Sequence, residues 1–330
     1  MRHKRLRVGL CYNLDRDYPI RANQPADITI EWCDSVYIDL LKEGISTAGF
    51  SVVDIGDPIN LLQADVRSKI DIIFSIAEMI GYRYREILVP SLCEFFGLPY
   101  LFARPDAMLI TADKNLSNLL VERMNIPVPA WACVKTSTLN SHDFNSFPYI
   151  VKPNAEGSSM GISKNSVAWD ALNLKKQTEA TINGYRQPAI IQQFIEGMEV
   201  TVGVIQVNGK TTALTPLVVF DESCDSTAVF SRELKNEFKK NNLYKTVGPS
   251  VLDSDISILA ERIFDEIGCL DAARIDFRIT NGRLFFIEIN GLTDFHPKGA
   301  FCKSAEFAGF TYPDLLTTVI TNAWKRNYSE

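Results

Sequence analysis

The sequence predicts an α/β chain that passes into α+β. Three observations predict it: apolar runs alternating with helix-period stretches in the first third, glycine-punctuated hairpins in the last third, and no internal repeat. In the first third, Arg7 to Tyr12 reads as a strand, Asp34 to Ala48 as a helix, and Ser51 to Ile55 and Asp71 to Ile76 as further strands. Arg85 to Phe96 has helical spacing and ends at Gly97, after which Leu98-Pro99-Tyr100 leads into another strand. Such alternation builds a parallel sheet, because parallel strands need crossover connections.

A polar break at Arg104-Pro105-Asp106 closes an N-terminal α/β domain over 1–104. From Asp113 a helix carries Leu116, Leu119, Leu120 and Met124 on one face and stops before Pro127 and Pro129. A polar loop then precedes the strand Phe147 to Pro153, and together these define a central domain over 105–190. In the remaining 191–330, strands come in pairs. Glu199 to Val207 turns at Asn208-Gly209, and Ala273 to Ile279 turns at Asn281-Gly282 into Arg283 to Asn290. Between the pairs, 221–245 is charged and lacks an apolar period, so it reads as a long surface loop or lid.

A chain of 330 residues, 46% apolar and 22% charged, can bury the cores of two or three domains. Its net charge of −6 and pI near 5.3 argue against a nucleic-acid partner, which needs clustered lysine and arginine. No run approaches the roughly 18 apolar residues of a membrane helix, and the basic start carries no apolar leader, so no membrane partner and a cytoplasmic location are expected. The seven cysteines are scattered without a CxxC pair and read as reduced. The three histidines are too dispersed for zinc.

Three constellations carry chemistry. Lys152-Pro153-Asn154-Ala155-Glu156-Gly157-Ser158-Ser159-Met160-Gly161 ends a strand in a lysine and follows it with a glycine-serine loop, whose amides and hydroxyls suit a phosphate. It is not the Walker pattern, which disfavours a P-loop NTPase; the plainer reading is a surface loop beside an edge strand. In the second hairpin, Arg274 and Asp276 share a face, as do Glu288 and Asn290. A two-residue turn would oppose Asp276 to Ile287. A three-residue turn opposes Arg274 to Glu288 and gathers the polar groups on one face, with Ile275, Phe277, Ile279, Phe285, Ile287 and Ile289 on the other, and is preferred. Two carboxylates and an amide oxygen then form a hard donor set suited to Mg²⁺; a solvated hairpin face is the alternative. Third, an apolar strand at Ile190-Ile191 runs through Gln192-Gln193-Phe194-Ile195 to Glu199, a link whose backbone can pair with a base.

Taken in order, Asp113-Lys114, Ile150-Val151-Lys152-Pro153 with Glu156-Gly157-Ser158-Ser159, Gln192 through Glu199, and Arg274-Ile275-Asp276 with Glu288-Ile289-Asn290 resemble the successive motifs of D-alanine-D-alanine ligases of the ATP-grasp superfamily. The resemblance runs from about Arg7 to the C-terminus. It implies an ATP-grasp fold in a three-domain architecture, ATP and two Mg²⁺ ions as cofactors (Mn²⁺ as an alternative), and small-molecule carboxylate and amine substrates. Ligases of this kind are often homodimers. Lys114 and Lys152 would hold nucleotide phosphates, Ser158 and Ser159 would line the phosphate and substrate side, and Gln192, Gln193 and Ile195 would form the adenine hinge with Glu199 on ribose. The Gln192 amide oxygen would accept from the adenine amine. Asp276, Glu288 and Asn290 would bind metal. Arg274, Ser158 and Lys235 are the implied catalytic groups, Lys235 ending a lid segment Ser231-Arg232-Glu233-Leu234-Lys235 and reaching the γ-phosphate.

The sequence departs from that pattern at the substrate end. After Asn290 the family has a Pro-Gly turn and then a serine; here Thr293-Asp294 replaces Pro-Gly and the serine position falls near Gly299. Asp294 places negative charge where an oxyanion should develop, and His296 and Lys298 are candidate replacements for lost carboxylate contacts. The family's N-terminal substrate loop is replaced by Ala77 to Glu86, with Glu78, Tyr82 and Arg83 as candidate contacts and Glu31 nearest the place of the donor-amine glutamate. The expected activity is amide formation through an acyl phosphate by a specialised biosynthetic ligase. The alternatives are a cell-wall D-alanine-D-alanine ligase and a nucleotide-binding module without chemistry.

Overall fold

The computed structural model describes residues 5–20, 22, 24–80, 83–136, 144–163, 166–220, 244–246 and 253–329. Three sheets organise it. The first is parallel: β1 (Arg7–Cys11) lies between β2 (Ser51–Gly56) and β3 (Ile72–Ser75). The helix Ser35–Thr47 crosses between the first two strands, started by Asp34, whose carboxylate accepts from the Tyr37 amide at 2.7 Å. The expected 85–96 helix divides into a 3₁₀ turn at Arg85–Ile87 and an α-helix at Leu88–Phe96, stopped by Gly97 at φ 63°. Leu98-Pro99-Tyr100 makes no strand. It contributes an isolated bridge from Tyr100 to Ile73, because the helix Pro105–Ala112 follows within a few residues.

The second sheet is antiparallel, β4 (Trp131–Val134), β7 (Ala189–Gln193), β5 (Tyr149–Pro153) and β6 (Val167–Ala168) in spatial order, backed by the helix Ala171–Tyr185. The third runs β11 (Lys245–Thr246), β10 (Leu217–Phe220), β8 (Met198–Val207), β12 (Ala272–Thr280), β13 (Arg283–Asn290), with β9 (Lys210–Ala213) also on β8. Lys245 and Thr246 therefore belong to a sheet edge, although Lys245 falls in the stretch expected to be lid; 221–243 lies outside the described residues.

The first and third sheets share one core. Phe74, Phe102, Phe295 and Phe301, each no more than 1% exposed, form a chain of edge and tilted ring contacts at centroid distances of 4.9–5.6 Å. Asp271, 1% exposed, seals this junction by accepting the Phe102 amide at 2.7 Å and pairing with Arg326 at 2.8 Å. The second sheet has a small core of its own, centred on Val151, Ala189 and Ile191.

The β12–β13 hairpin corrects the expected register. Its turn has two residues, Asn281 and Gly282, both left-handed at φ 47° and 71°. Such a turn alone would oppose Asp276 to Ile287, but a bulge after Asp276 leaves Ile287 without an opposite partner and resets the pairing to Asp276–Glu288 and Arg274–Asn290. The polar residues share a face as expected, by a route that neither simple turn provides. The two-residue turn itself opposes Phe286 to Phe277 and so puts Phe286 in the core at 0% exposed, where Phe285 was expected.

Candidate active site

Two adjoining cavities lie where the three sheets converge. The larger, about 440 Å³, is lined by Glu31, Glu78, Ser158, Tyr244, Arg274 and Asp294 among others. The smaller, about 60 Å³, is lined by Lys152, Ser159, residues 192–195, Ile287 and Glu288, and Glu199 borders both. The loop after β5 separates them. Ser158 and Ser159 are consecutive left-handed residues, at φ 50° and 61°, so their side chains diverge, Ser158 into the larger cavity and Ser159 into the smaller.

Lys114 and Lys152 stand at this junction through different elements. Asp113 caps the helix Lys114–Arg123 by accepting the Leu116 amide at 2.9 Å, and its other oxygen accepts from Tyr84 Oη at 2.7 Å and Asn154 Nδ2 at 2.8 Å. Lys114 Nζ consequently reaches the Glu156 carbonyl at 2.6 Å and Glu288 at 3.3 Å. Lys152, 6% exposed on β5, donates to Gln192 Oε1 at 3.0 Å. The Gln192 oxygen, expected to accept from an adenine amine, is thus engaged by a lysine. Burial pushes the Lys152 ammonium down to about 8, Glu288 pulling the other way and Lys114 adding to the fall.

On the hairpin face, Arg274 forms a fork with Asp276, Nε to Oδ1 at 3.1 Å and Nη2 to Oδ2 at 3.0 Å. Asp276 also accepts from Thr201 Oγ1 at 2.5 Å on Oδ1 and from Asn290 Nδ2 at 3.3 Å on Oδ2. Burial works against the Arg274 charge, but Asp276, with Glu288 and Asp294 adding to it, outweighs burial and keeps the guanidinium protonated. No cluster of three or more His, Cys, Asp or Glu suited to a metal occurs among the described residues. The set present is two carboxylates and an amide on facing strands, and Mg²⁺ between nucleotide phosphates takes few protein ligands of this hard type, so Asp276, Glu288 and Asn290 fit it.

Two arginines were missed. Arg278 is 5% exposed and donates to the Ile195 carbonyl at 2.6 Å and to Glu199 at 3.2 Å, fixing the hinge and the expected ribose carboxylate together. Its signal lay in the alternation Arg274-x-Asp276-x-Arg278, which puts all three on one strand face. Within the hinge, the Gln193 and Phe194 amides already donate to Ala130 and Pro148 at 2.7 and 2.9 Å. Arg85 bridges Glu31 at 2.5 Å and Glu156 at 2.8 Å, and Gln187 donates to the other Glu156 oxygen at 2.7 Å. Glu31, expected to meet a substrate amine, is therefore paired with Arg85. Arg83, two residues earlier, is exposed against Tyr84 and does not line either cavity.

Among the other expected substrate residues, Glu78, Asp294 and His296 line the larger cavity. Lys298 is exposed and lines neither cavity; its amide donates to His296 Nδ1 at 3.0 Å. Tyr82 and Lys235 lie outside the described residues. Tyr244, 7% exposed, lines the larger cavity just where the lid stretch ends.

Fold and sites of this kind define the ATP-grasp carbon–nitrogen ligases. Residues 120–321 match the family model described as "D-ala D-ala ligase C-terminus", and the chain belongs to that family. A protein named y4sG from Sinorhizobium fredii is 26% identical over 261 residues, 78% of this chain and 75% of that one. The D-alanine–D-alanine ligase of Aquifex aeolicus is 26% identical over 243 residues, 71% and 76% of the two chains. Among solved structures, the D-alanine–D-alanine ligase of Bacillus anthracis complexed with ATP superposes with a TM-score of 0.74 at 20% identity, covering 98% of this chain and 99% of that one. Among the described residues no helix is long and apolar enough to cross a membrane.

Proposed function

We propose that the chain is a specialised biosynthetic ligase that joins a small carboxylate to an amine through an acyl phosphate, with ADP as the second product. The observation that carries this reading is the pair of adjoining cavities divided by the Ser158–Ser159 peptide, one bordered by Lys152 and the 192–195 hinge, the other by Arg274. The smaller cavity takes the nucleotide, with Ile195 against adenine and Glu199, steadied by Arg278, on ribose. Lys114 and Lys152 hold phosphate oxygens. Asp276, Glu288 and Asn290 hold Mg²⁺, which when bound neutralises charge on the phosphates. A carboxylate oxygen in the larger cavity attacks the γ-phosphorus, breaking its bond to the bridging oxygen and releasing ADP. An amine nitrogen then attacks the acyl carbon; the C–N bond forms, the C–O bond to phosphorus breaks, and the nitrogen loses a proton. Arg274 stands beside the oxyanion of that addition, and Ser158 orients the carboxylate.

ADP release should depend on a carboxylate, and with hydroxylamine as a small neutral acceptor it should yield a hydroxamate. A panel of D- and L-amino acids and simple acids as donors tests this. Nucleotide binding without hydroxamate from any donor would leave only a binding module. The names of the relatives support a second reading, D-alanine–D-alanine ligation, which dipeptide formation from D-alanine alone would establish.

The Lys152 ammonium supplies an independent check. A phosphate beside it favours the charged form, so nucleotide binding should take up about one proton near pH 9 and almost none near pH 6.5. Calorimetry of metal-free ADP binding in buffers of different ionisation enthalpy measures this, and Lys152→Met should remove the difference.

A further inference from the structure

Two consecutive non-glycine residues at φ 50° and 61°, Ser158 and Ser159, are strained, and such strain persists only where the surroundings over-determine it. Within the loop, the Met160 and Ile162 amides donate to the Gly157 and Ser159 carbonyls at 2.8 and 3.0 Å. Further restraint arrives from 134 positions earlier in the chain. There, a succession of turns over 26–31, ahead of the helix Ser35–Thr47, grips the loop on either side of the strained pair. Asp27 Oδ2 accepts from the Gly161 amide at 2.8 Å, and its Oδ1 accepts from Tyr185 Oη, also at 2.8 Å. Burial, with the Asp27 hydrogen bond adding to it, pushes the Tyr185 phenol up, so the hydroxyl stays protonated and donating. On the other side of the pair, Glu31 comes so close that a Cβ on Gly157 would stand 2.6 Å from its Oε1. The turns are themselves anchored: Trp32 Nε1 donates to the Met79 carbonyl at 3.2 Å, the Trp32 ring packs edgewise on Tyr18 at 4.6 Å, and the Cys33 amide donates to the Asn13 carbonyl at 2.9 Å. Thr29, Ile30, Glu31 and Trp32 also line the larger cavity, so the grip and the cavity wall are one piece of chain.

A phosphate-binding loop would offer the Gly161 amide to its ligand; here a carboxylate of the protein occupies it. We propose that Asp27 is a positioning residue for the ligase reaction, holding the Gly161 amide so that the Ser158–Ser159 peptide keeps the conformation that presents one hydroxyl to the nucleotide and the other to the carboxylate. This rests on the ligase reading above. A ligand that binds only the held conformation is weakened by the fraction of molecules in that conformation, and the same fraction applies to both ligands. Releasing the loop therefore weakens nucleotide and carboxylate by a common factor, whereas saturation with both draws the loop back and spares turnover.

The test uses the full-length protein. Calorimetry measures binding of ADP with Mg²⁺, and kcat/KM for ATP and for a donor identified by hydroxamate formation are each measured at a low fixed concentration of the other. Asp27→Ala should weaken ADP and lower both kcat/KM values by about tenfold, with kcat at saturation of both substrates within about threefold of the parent protein. Loss of a negative charge by itself favours phosphate, so weaker ADP reports the loop and not the charge. Asp27→Asn keeps an acceptor oxygen and should restore most of the loss. Tyr185→Phe removes only the hydroxyl that holds Asp27; it should show the same pattern at about threefold, and it decides the matter if Asp27→Ala does not fold. Unchanged ADP affinity and kcat/KM values overturn the proposal. So does a lower kcat with unchanged affinity and a lower unfolding midpoint, which would assign Asp27 to stability alone. Failure of the parent protein to form hydroxamate with any donor instead overturns the ligase reading, while ADP affinity still reports on Asp27.

Discussion

Asp276→Asn is expected to lower turnover by about a thousandfold. The carboxylate does three things at once. It forks Arg274, accepts from Thr201, and faces Glu288 across the hairpin as the other charged donor for a divalent ion. Asparagine keeps the shape and one acceptor oxygen but has no charge to hold a cation or to offset the guanidinium. Stability should fall by only about 1–3 kcal/mol, because the remaining oxygen still accepts from Arg274. ADP release under saturating donor, with the unfolding midpoint as control, measures both. Turnover within tenfold of the parent protein would remove the hairpin face from the chemistry.

Arg85→Met should behave in the opposite way, with a loss of stability that exceeds any direct effect on phosphoryl transfer. Side-chain exposures of 9% for Arg85, 3% for Glu31 and 2% for Glu156 make this a buried network, and removing the one cation that pairs with both carboxylates among the described residues leaves them uncompensated. The expected cost is about 3–5 kcal/mol, read from denaturant unfolding. Neighbouring Glu86 sets the pH dependence. Burial, with Glu31 adding to it, pushes its carboxyl up from 4.5 to about 8, while Arg85 opposes the rise. The folded protein thus holds a proton that the unfolded chain releases above about 4.5, so this contribution to stability is full below that pH and is lost as pH climbs through 8. Without Arg85 the carboxyl groups hold their protons more tightly still. The deficit of the variant should therefore be smallest near pH 5 and largest above pH 8. A deficit that does not change with pH would rule out uncompensated carboxylates as its cause.

What could be read from the sequence divides along a physical line. Local signals sufficed for the helix starts at Asp34 and Asp113 and for the positions of the turns at Asn208-Gly209 and Asn281-Gly282, since each depends on residues within a few positions. The shared polar face of Arg274, Asp276, Glu288 and Asn290 was equally legible, because alternation along a strand is a local property. The turn length and the compensating bulge at Ile287 were not, since they are decided by whether Phe286 or Phe285 fits a core assembled from distant strands. Arg85 gave no signal either. Its partners stand 54 and 71 positions away, and in sequence it differs in nothing from Arg83, which is exposed.

The peptide linking Ser158 to Ser159 is a partition one bond thick. A backbone rotation of that peptide that shifts Ser159 at the cavity proposed for nucleotide also shifts Ser158 at the cavity proposed for substrate, so occupancy on one side becomes a boundary condition for affinity on the other. By thermodynamic reciprocity the influence runs equally in both directions. A donor carboxylate should therefore tighten or loosen nucleotide by the same factor that nucleotide tightens or loosens the donor, and the two compartments act as a single coupled vessel.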